Sequence, residues 1–199
     1  MLKISLADYG VGNLHSLKKA LEICGAEVTV VSDMKDLRDA ECIAFPGVGA
    51  FDRTVEKLLP YRDDISKMLK DGTPCIGICI GAQIMFEGSD EGTSPGLGIM
   101  KGRVVRMKAE RVPHMGWNVV DTEDPIMDGV DNRYFYFANS YHADPSEKDV
   151  IKGTTGYEGI RFPTLFRKYN TVGSQFHPEK SSTSGLKVLE NFIRFAEDC

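Results

Sequence analysis

Apolar residues in the first half of the chain follow two different spacings. Runs of strand length that are rich in apolar residues occupy residues 2–7, 27–31, 42–45 and 74–78. Between these runs, apolar residues recur every three or four positions, as they do on one face of a helix. They are Leu14, Leu17, Leu21 and Cys24 in the first interval, Phe51, Val55, Leu58 and Leu59 in a later one, and Ile65, Met68 and Leu69 after that. Strands that alternate with helices in this way predict an α/β fold with a mostly parallel sheet.

Residues that cap or break helices mark the ends of these segments. Asn13 stands where its side chain can cap the first helix, and Gly25 stands where that helix is expected to end. Pro60 is expected to break or kink the second helical pattern, because a proline ring does not fit inside a regular helix. A further helix is predicted to start over residues 82–86, directly after the run at 74–78.

The second half has a different pattern, which predicts mainly short strands. Residues 89–96 are rich in serine, glycine and acidic residues, which indicates a loop. The candidate strands that follow are residues 104–107, 116–120, 134–138, 151–155, 165–167 and 172–176. Apolar residues at helical spacing over 185–196 predict a final amphipathic helix. No internal repeat or linker separates the two halves, so one domain over residues 1–199 is expected.

Composition and charge exclude several classes of protein. The 199 residues include 24 basic and 29 acidic side chains, so the net charge is −5, and the pI is near 5.4. A protein whose main partner is nucleic acid usually carries a basic cluster, which this sequence lacks. The longest apolar stretches contain glycines and are shorter than the roughly 20 residues that span a bilayer. The N-terminal residues lack the apolar segment of a secretory signal, so a cytoplasmic protein is expected.

One cysteine differs from the other four in its surroundings. Cys24, Cys42, Cys75 and Cys199 lie in or near apolar runs, where reduced thiols of a protein core are common. Cys79 lies in the sequence Gly-Ile-Cys-Ile-Gly, between a predicted buried strand and a predicted helix. This pattern is typical of a nucleophile elbow, and the start of a helix favours the thiolate form of the thiol. A buried core cysteine is the alternative, and a base close to the thiol would decide between the two.

His177 is the histidine best placed to act as that base. It ends a predicted strand and is followed by Pro178 and Glu179. Residues two apart in an extended segment point to the same side, so the Glu179 carboxylate can reach the far ring nitrogen of His177. Such a carboxylate orients the ring and stabilises its protonated form. Cys79, His177 and Glu179 are therefore predicted to form a catalytic triad, with a strand-end histidine beside a solvated glutamate as the alternative.

Acyl transfer by a thiol also requires N–H donors for the oxyanion that forms. The segment Pro-Gly-Val-Gly at residues 46–49 follows the strand expected beside the elbow, and its glycines permit a peptide flip that aims the Val48 N–H at the oxyanion. Gly49 belongs to the same predicted oxyanion hole. The Ile80 N–H, one residue after Cys79, is the second predicted donor. An ordinary tight turn is the alternative for residues 46–49.

No cofactor and no metal ion are expected. Residues 10–12 suggest the start of a dinucleotide-binding loop, but His15 stands where the third glycine belongs, and the sequence has no P-loop lysine. Cys75 and Cys79 lack the C-x-x-C spacing of a zinc site, and no second pair follows them.

Two segments together resemble the motifs of a known family. The segments are Gly77-Ile78-Cys79-Ile80-Gly81-Ala82-Gln83 and Phe176-His177-Pro178-Glu179. The family that they resemble is the class I, triad-type glutamine amidotransferases. The resemblance covers nearly the whole chain. It implies a three-layer α/β sandwich with a mostly parallel central sheet and additional β-strands in the C-terminal half. Within the family, residues 8–13, 46–51, 113–118 and 177–181 resemble those of the glutaminase subunits of imidazole glycerol phosphate synthases.

The resemblance implies a hydrolytic reaction on glutamine. Cys79 would attack the side-chain amide, release ammonia and form a glutamyl thioester, which water then cleaves to glutamate. His177 would protonate the departing ammonia and then activate the water. By the same resemblance four residues bind the substrate, and the charge of Glu91 suits the α-ammonium group. They are Gln83, Glu91, Ser140 and Tyr141.

The resemblance also implies a partner that receives the ammonia, since ammonia released into water is protonated and lost as a nucleophile. A chain of 199 residues is expected to leave no room for a second catalytic domain. The implied partner is a cyclase with a (β/α)₈-barrel fold, which forms a heterodimer with an ammonia channel. It converts PRFAR to imidazole glycerol phosphate and AICAR in histidine biosynthesis. The residues expected on the docking face are Asn13, Trp117, Tyr136 and Lys180, with a core position for Trp117 and a solvated charge at Lys180 as the alternatives.

Regulation by the partner is implied as well. In this family the isolated glutaminase is typically weak, and it becomes active when the cyclase binds its nucleotide substrate. We expect residues 46–49 to be the element that switches, because glycines on both sides of Val48 allow the peptide to flip at low energy.

Three other functions are weighed against this one. A glutaminase subunit of another pathway, such as anthranilate or pyridoxal phosphate synthesis, is disfavoured by residues 113–118. A stand-alone cysteine peptidase or γ-glutamyl hydrolase would act at full rate without a partner. A binding module that keeps the fold without the chemistry is disfavoured by the presence of all three triad residues.

Overall fold

The computed structural model describes residues 1–10, 14–47 and 49–199. The α-helices are α1 (Leu14–Ile23), α2 (Phe51–Leu58), α3 (Arg62–Lys70), α4 (Ile80–Gln83) and α5 (Ser182–Glu197). The strands are β1 (Lys3–Ala7), β2 (Glu27–Val31), β3 (Cys42–Phe45), β4 (Cys75–Ile78), β5 (Gly88–Ser89), β6 (Gly102–Arg106), β7 (His114–Val119), β8 (Asp121–Thr122), β9 (Tyr134–Asn139), β10 (Tyr141–Pro145), β11 (Ile151–Tyr157), β12 (Ile160–Lys168) and β13 (Thr171–Ser174). Short 3₁₀-helices lie at Met34–Asp39, Leu59–Tyr61, Pro125–Met127, Lys148–Val150 and Pro178–Lys180.

An eight-stranded sheet forms the centre of the described part of the molecule. Its strand order is β2-β1-β3-β4-β13-β12-β11-β8. The five strands from β2 to β13 pair in parallel, and the pairs from β13 to β8 are antiparallel. β13, near the end of the chain, lies next to β4 from the first half. The predicted α/β fold with a mostly parallel sheet is confirmed.

Both faces of this sheet are covered, which makes the fold a three-layer sandwich. Along β3, Cys42 and Ala44 belong to one apolar cluster and Ile43 and Phe45 to another, because successive side chains of a strand point to opposite faces. Helices α1 and α5 contribute to the first cluster, and α2 and α3 contribute to the second. Burial on both faces explains why β3 and β4 are uninterrupted buried runs.

Two smaller sheets extend the second half. Strands β10, β6 and β5 form one of them, and β7 and β9 pair antiparallel in the other. Alternate residues of β7 face the solvent, so the β7–β9 sheet has one exposed side. Its exposed apolar residues are Met115, Trp117, Val119 and Tyr134. Strands β5, β8 and β10 are absent from the sequence prediction. β5 pairs with the next strand, β6, whereas β8 and β10 pair with strands more distant in the sequence.

The helix breakers in the first half act as predicted. Gly25 follows α1 with a φ of 98°, a conformation that ends a helix and favours glycine. Helix α2 stops at Leu58, a 3₁₀ turn contains Pro60, and α3 begins at Arg62. Among the described residues, no helix is both long and apolar enough to cross a membrane.

Helix α5 begins earlier than predicted, at Ser182 rather than at residue 185. Gly185 therefore lies inside the helix, although glycine usually disfavours that position. A Cβ at Gly185 would lie 1.8 Å from the carbonyl oxygen of Pro178, so only glycine allows this close packing. The helix thus packs directly on the segment that follows His177.

Strand β12 is longer than the predicted 165–167, and it forms a hairpin with β11. Glu158 and Gly159 connect the two strands with φ values of 44° and 81°, as in a type I′ turn. Pro163 interrupts the local apolar pattern, yet it pairs with Thr154 within the ladder. The other predicted strands of the second half are present with bounds shifted by at most two residues.

Candidate active site

Cys79 lies in a strained turn between β4 and α4. Its φ of 49° falls in the left-handed region that residues other than glycine rarely adopt. The Cys79 N–H donates a hydrogen bond to the Ser174 carbonyl at 2.6 Å, which ties the turn to the end of β13. The turn has the shape of a nucleophile elbow and presents the thiol at the end of the strand.

Gly77 and Gly81 make this turn possible, since neither position has space for a Cβ atom. A Cβ on Gly77 would lie 2.4 Å from the carbonyl oxygen of Gly81. A Cβ on Gly81 would lie 2.2 Å from the carbonyl oxygen of Phe45, the last residue of β3. Both obstacles are backbone atoms, which cannot rotate away as a side chain can.

The helix that follows Cys79 is shorter than predicted. It spans Ile80–Gln83, whereas the sequence predicts a helix that starts over 82–86. The chain folds back because the Ile84 carbonyl accepts a hydrogen bond from the Leu97 N–H at 2.7 Å. A single helical turn has few aligned peptide dipoles, so it is a weak source of positive potential at the sulfur. A thiolate at this position depends on other donors.

His177 follows β13 and is held by its backbone and by its ring. Its N–H donates to the Tyr136 carbonyl at 2.8 Å, and its carbonyl accepts from Ser181 Oγ at 2.6 Å. The ring Nδ1 is 2.8 Å from Glu179 Oε1. Both side chains are almost completely buried, with 2% exposure for His177 and 5% for Glu179. The predicted contact between this ring and this carboxylate is present in the structure.

The surroundings of His177 favour its charged form. Burial lowers the pKa of His177, but side-chain interactions with Cys79 and Glu179 raise it more, to about 9. The ring is therefore an imidazolium at neutral pH. An imidazolium next to a cysteine favours the thiolate, which is the nucleophilic form of the thiol.

Cys79 and His177 meet because β4 and β13 are neighbours in the sheet. The two strands pair in parallel as far as Ser174 and Ile78, so both end at the same edge. Ligands of open parallel sheets bind at the carboxyl ends of the strands. The sheet thus brings together two residues that are 98 positions apart in the sequence.

A cavity of about 370 Å³ opens at this edge of the sheet. Its walls contain Cys79 and His177 together with the residues that the sequence predicts for substrate binding, which are Gln83, Glu91, Ser140 and Tyr141. This volume lies near the lower end of the usual range for ligand pockets, which suits a molecule the size of an amino acid.

Neighbouring groups orient two of these side chains. Gln83 Nε2 donates to the Tyr141 carbonyl at 3.1 Å and to Gln175 Oε1 at 3.0 Å. Glu91 Oε2 accepts from the Phe51 N–H at 3.0 Å, at the start of α2. The start of a helix favours negative charge, so Glu91 is positioned as a carboxylate at the cavity wall.

The predicted oxyanion donors lie only partly within the described residues. Ile80 lines the cavity as the first residue of α4, where helix geometry gives its N–H no intrahelical acceptor. Gly49 lines the same cavity with a φ of 120°, which favours glycine. A Cβ on Gly47 would lie 2.8 Å from Cε1 of His177, so this segment packs against the ring. Val48 lies outside the described residues.

Three of the residues predicted for the docking face lie together beside the cavity. The rings of Trp117 and Tyr136 are 6.3 Å apart in an edge-on arrangement, and the Lys180 ammonium is 5.9 Å from the centre of the Tyr136 ring. Trp117 is 52% exposed, so a core position for this residue is wrong. Lys180 also lines the cavity. Asn13 lies outside the described residues.

Gln175 is part of the site but absent from the predicted set. Its side chain is buried, and its Nε2 donates to Cys79 Sγ at 3.5 Å. A signal is present in the sequence, because Gln175 is a polar residue in an apolar strand, two positions before His177. Residues at that spacing point to the same side of an extended chain.

The remaining cysteines lie outside the site. Cys42 and Cys75 are buried as predicted, and burial raises the pKa of both thiols. Cys24 is half-buried and Cys199 is exposed, which corrects the expectation of core positions for these two. All of these thiols are free. In the described ranges, no group of three His, Cys, Asp or Glu side chains is arranged to hold a metal ion.

Comparisons with known proteins agree with this geometry. The family model "Glutamine amidotransferase class-I" matches residues 5–195. The imidazole glycerol phosphate synthase subunit HisH of Pyrococcus furiosus is 44% identical over 198 residues, which cover 98% of this chain and 100% of the relative. Subunit HisH of Thermococcus kodakarensis is 46% identical, with 96% of this chain and 99% of the relative covered. Subunit HisH of Bacillus subtilis is 40% identical, and the match covers 98% of this chain and 97% of the relative.

Solved structures with lower sequence identity share the fold. A crystal structure of a glutamine amidotransferase matches with a TM-score of 0.78 at 20% identity, covering 98% of both chains. The structure of PurLQS from Thermotoga maritima matches with a TM-score of 0.75 at 18% identity, again covering 98% of both chains. The family model and the relatives at 40% identity or more show the family of this chain as well as its fold. The chain belongs to the class-I glutamine amidotransferase family and, within it, to the imidazole glycerol phosphate synthase subunits HisH.

Proposed function

We propose that this chain is the glutaminase subunit of an imidazole glycerol phosphate synthase. It hydrolyses glutamine to glutamate and ammonia and passes the ammonia to a cyclase subunit in histidine biosynthesis. The main support is that the Cys79 thiol and the His177 imidazole meet at one cavity, while the Glu179 carboxylate holds the far nitrogen of the ring. The names of the HisH relatives support the choice of pathway.

The first half of the reaction forms a thioester. The Cys79 thiolate attacks the Cδ carbon of the glutamine side chain, and a C–S bond forms as negative charge develops on the amide oxygen. The Ile80 N–H and the segment that contains Gly49 line the cavity where this charge develops. The C–N bond then breaks, and the nitrogen takes a proton from the His177 imidazolium and leaves as ammonia.

The second half hydrolyses the thioester. Neutral His177 takes a proton from a water molecule, and the resulting hydroxide attacks the thioester carbon. The C–S bond breaks, which restores the Cys79 thiolate beside the His177 imidazolium and leaves a γ-carboxylic acid. This acid loses its proton to solvent as glutamate leaves. Glu179 holds the ring through Nδ1 at 2.8 Å in both halves, so that Nε2 serves the reacting atoms.

The substrate is recognised by a carboxylate, backbone groups and a side-chain amide around the cavity. The Glu91 carboxylate is suited to the α-ammonium group of glutamine, and it is already held at the start of α2. Ser140 and Tyr141 line the same cavity, and the resemblance to the family assigns their backbone groups to the amino-acid end of the substrate. Gln83 completes this set.

The exposed side of the β7–β9 sheet is the proposed docking face for the cyclase, whose fold we expect to be a (β/α)₈ barrel. Met115, Trp117 and Val119 present apolar surface to solvent there, and such patches are typical of interfaces. Tyr136 connects this face to the active site through its bridge with His177. Ammonia released at the cavity would then leave next to the partner, without passing through bulk water.

Glutamine hydrolysis by the full chain, measured with and without a barrel cyclase and its nucleotide ligand, tests this function. We expect strong stimulation by the liganded cyclase, because the family behaves as a coupled pair. Met115→Glu should reduce complex formation at least about tenfold, because it places a charge in an apolar interface. Its melting temperature should stay within about 2 °C of the wild-type value, since this side chain is 62% exposed.

Ile23→Glu is the matched control for the docking face. Ile23 is also 62% exposed, but it lies at the end of α1 and lines a different groove, next to α5. This variant should bind the cyclase and respond to it as the wild type does. Equal loss of binding in both variants, or full glutaminase activity of the lone chain without stimulation, would contradict the proposed docking and function.

The pH dependence of stability provides a test of the proposed triad. The pKa of His177 is raised from 6.5 to about 9 in the folded chain, so its proton stabilises the folded state fully below pH 6.5. This stabilisation is lost as the pH rises through 9. We expect the free energy of unfolding to fall by roughly 1 to 3 kcal/mol across this range. Urea denaturation at several pH values between 6 and 9.5 measures it.

Glu179→Gln should reduce this fall, because removal of the carboxylate lowers the pKa of His177. Glu147→Gln is the control, since Glu147 is a carboxylate whose partner is Lys168, away from the active site. The free energy of unfolding of the Glu147→Gln variant should change with pH between 6.5 and 9 as steeply as that of the wild type. If the free energy of unfolding of Glu179→Gln falls with pH as steeply as that of the wild type, the Glu179 carboxylate does not raise the pKa of His177.

We further propose that residues 1–199 form one glutaminase domain. The cytoplasmic location expected from the sequence stays a prediction.

A further inference from the structure

Gln175 occupies a buried position between the Cys79 sulfur and the amide of Gln83, two groups that line the cavity. It directly follows β13, and only 1% of its surface is exposed. Its amide nitrogen is 3.5 Å from Cys79 Sγ, within hydrogen-bonding distance for sulfur, and its amide oxygen is 3.0 Å from Gln83 Nε2. The amide thus connects the sulfur to a second buried amide.

The orientation of this amide is determined by its neighbours. Gln83 Nε2 carries only donor hydrogens, and it is shared between the Tyr141 carbonyl and Gln175. If the Gln175 amide were rotated by 180°, two NH₂ groups would face each other in a buried place. The oxygen of Gln175 must therefore face Gln83, which leaves its NH₂ group directed at the sulfur.

A thiolate at Cys79 has few other sources of stabilisation. Helix α4 has a single turn, so its dipole contributes little at the sulfur. The His177 imidazolium supplies one positive group, but it gives up its proton to the leaving ammonia during the reaction. The Gln175 amide cannot be deprotonated at any working pH, so its donor is present in every step.

We propose that Gln175 is a catalytic residue whose side-chain amide donates a hydrogen bond to the Cys79 sulfur and holds it as a thiolate. This donor acts on the resting thiolate before attack and again on the departing thiolate when the thioester breaks. Gln83 has a positioning role, because it fixes the direction of the Gln175 amide. The proposal rests on the proposed function of Cys79 as the nucleophile.

The rate at which iodoacetamide alkylates Cys79 tests the proposal, since only the thiolate reacts and no turnover of glutamine is needed. The full chain is used, and peptide mass spectrometry separates Cys79 from the more accessible Cys24 and Cys199. Gln175→Met keeps the volume of the side chain and removes the donor. We expect its alkylation rate at pH 7 to fall about tenfold, and the midpoint of its pH–rate profile to move upward by about one pH unit.

Gln175→Glu provides a second variant of nearly the same shape. Its carboxylate still accepts from Gln83, but it offers the sulfur a negative charge in place of a donor. We expect a larger fall in the alkylation rate than for Gln175→Met. Thr122→Val is the control, because it removes the hydrogen bond from Thr122 Oγ1 to the Lys152 carbonyl, and Thr122 lies on β8, the edge strand of the same sheet, four strands from β4. Its alkylation rate should equal the wild-type rate.

Wild-type alkylation rates and profiles in both folded Gln175 variants would overturn the proposal. If neither variant melts cooperatively, the wild-type chain still decides the question. The assigned side-chain amide resonances of Gln175 should then shift with the same pH midpoint as the alkylation of Cys79, and resonances that do not respond would refute the hydrogen bond. Failure of the proposed function has a different outcome, in which the wild type alkylates normally but hydrolyses no glutamine with the liganded cyclase.

Discussion

Replacement of Cys79 by alanine is expected to lower glutamine hydrolysis by more than about 1,000-fold, because no other group at the cavity can form the thioester. Cys79 is a small residue in a turn held by backbone contacts at Gly77 and Gly81, so the variant should fold normally. The measurement is glutamate formation by the full complex with the cyclase and its nucleotide ligand. Under the proposed function, the cyclase reaction of the same complex should persist when ammonium salts are supplied at high pH, because free ammonia then replaces the ammonia made from glutamine.

Cys24→Ala is the matched control for this substitution. Cys24 is a free, half-buried thiol at the end of α1, and it lies outside the cavity. This variant should hydrolyse glutamine within about twofold of the wild-type rate. Hydrolysis by Cys79→Ala within tenfold of wild type would rule out Cys79 as the nucleophile.

Replacement of Gly81 by alanine is expected to destabilise the protein by about 3 kcal/mol or more, and to remove most of the activity of any folded fraction. The added Cβ would lie 2.2 Å from the carbonyl oxygen of Phe45 and 2.7 Å from its carbonyl carbon. Strand β3 or the elbow must move to relieve this overlap, and either movement displaces the Cys79 thiol. Urea denaturation and the alkylation rate of Cys79 measure the two effects separately.

Gly156→Ala is the control for Gly81→Ala. Gly156 lies in β11, and a Cβ there would have no atom within 4 Å. The stability of this variant should stay within about 1 kcal/mol of the wild-type value. Equal stability of the two variants would mean that the close packing of β3 on the elbow does not constrain position 81.

The sequence predicts the first half of the fold well, since local pattern is sufficient there. The continuous apolar runs of β3 and β4 can be buried only in a sheet covered on both faces, and Pro60 and Gly25 act through their own backbone geometry. The second half is predicted less accurately. Strands such as β8 and β10 form because a distant strand offers hydrogen bonds, which no local spacing reveals.

The sequence also predicts much of the candidate site, because the chemistry of the residue types is recognisable. The glycines around Cys79 and the spacing of His177 and Glu179 are local signals, and the corresponding backbone shape and ring contact are present. The length of α4 could not be predicted, since the chain is folded back there by the bond between Ile84 and Leu97.

By itself, the sequence determined the chemical groups, the glycines that allow the elbow and the strands that carry them, because these depend on neighbours within a few residues. The tertiary structure alone decided that β13 lies beside β4, that the amide of Gln175 faces the sulfur, and that Trp117 is exposed. The physical reason is that the first two features depend on contacts between segments 96 residues apart, and the exposure of Trp117 depends on which face of the β7–β9 sheet is covered. The stability of such contacts comes from the whole sheet and its covering layers, and no local pattern encodes it.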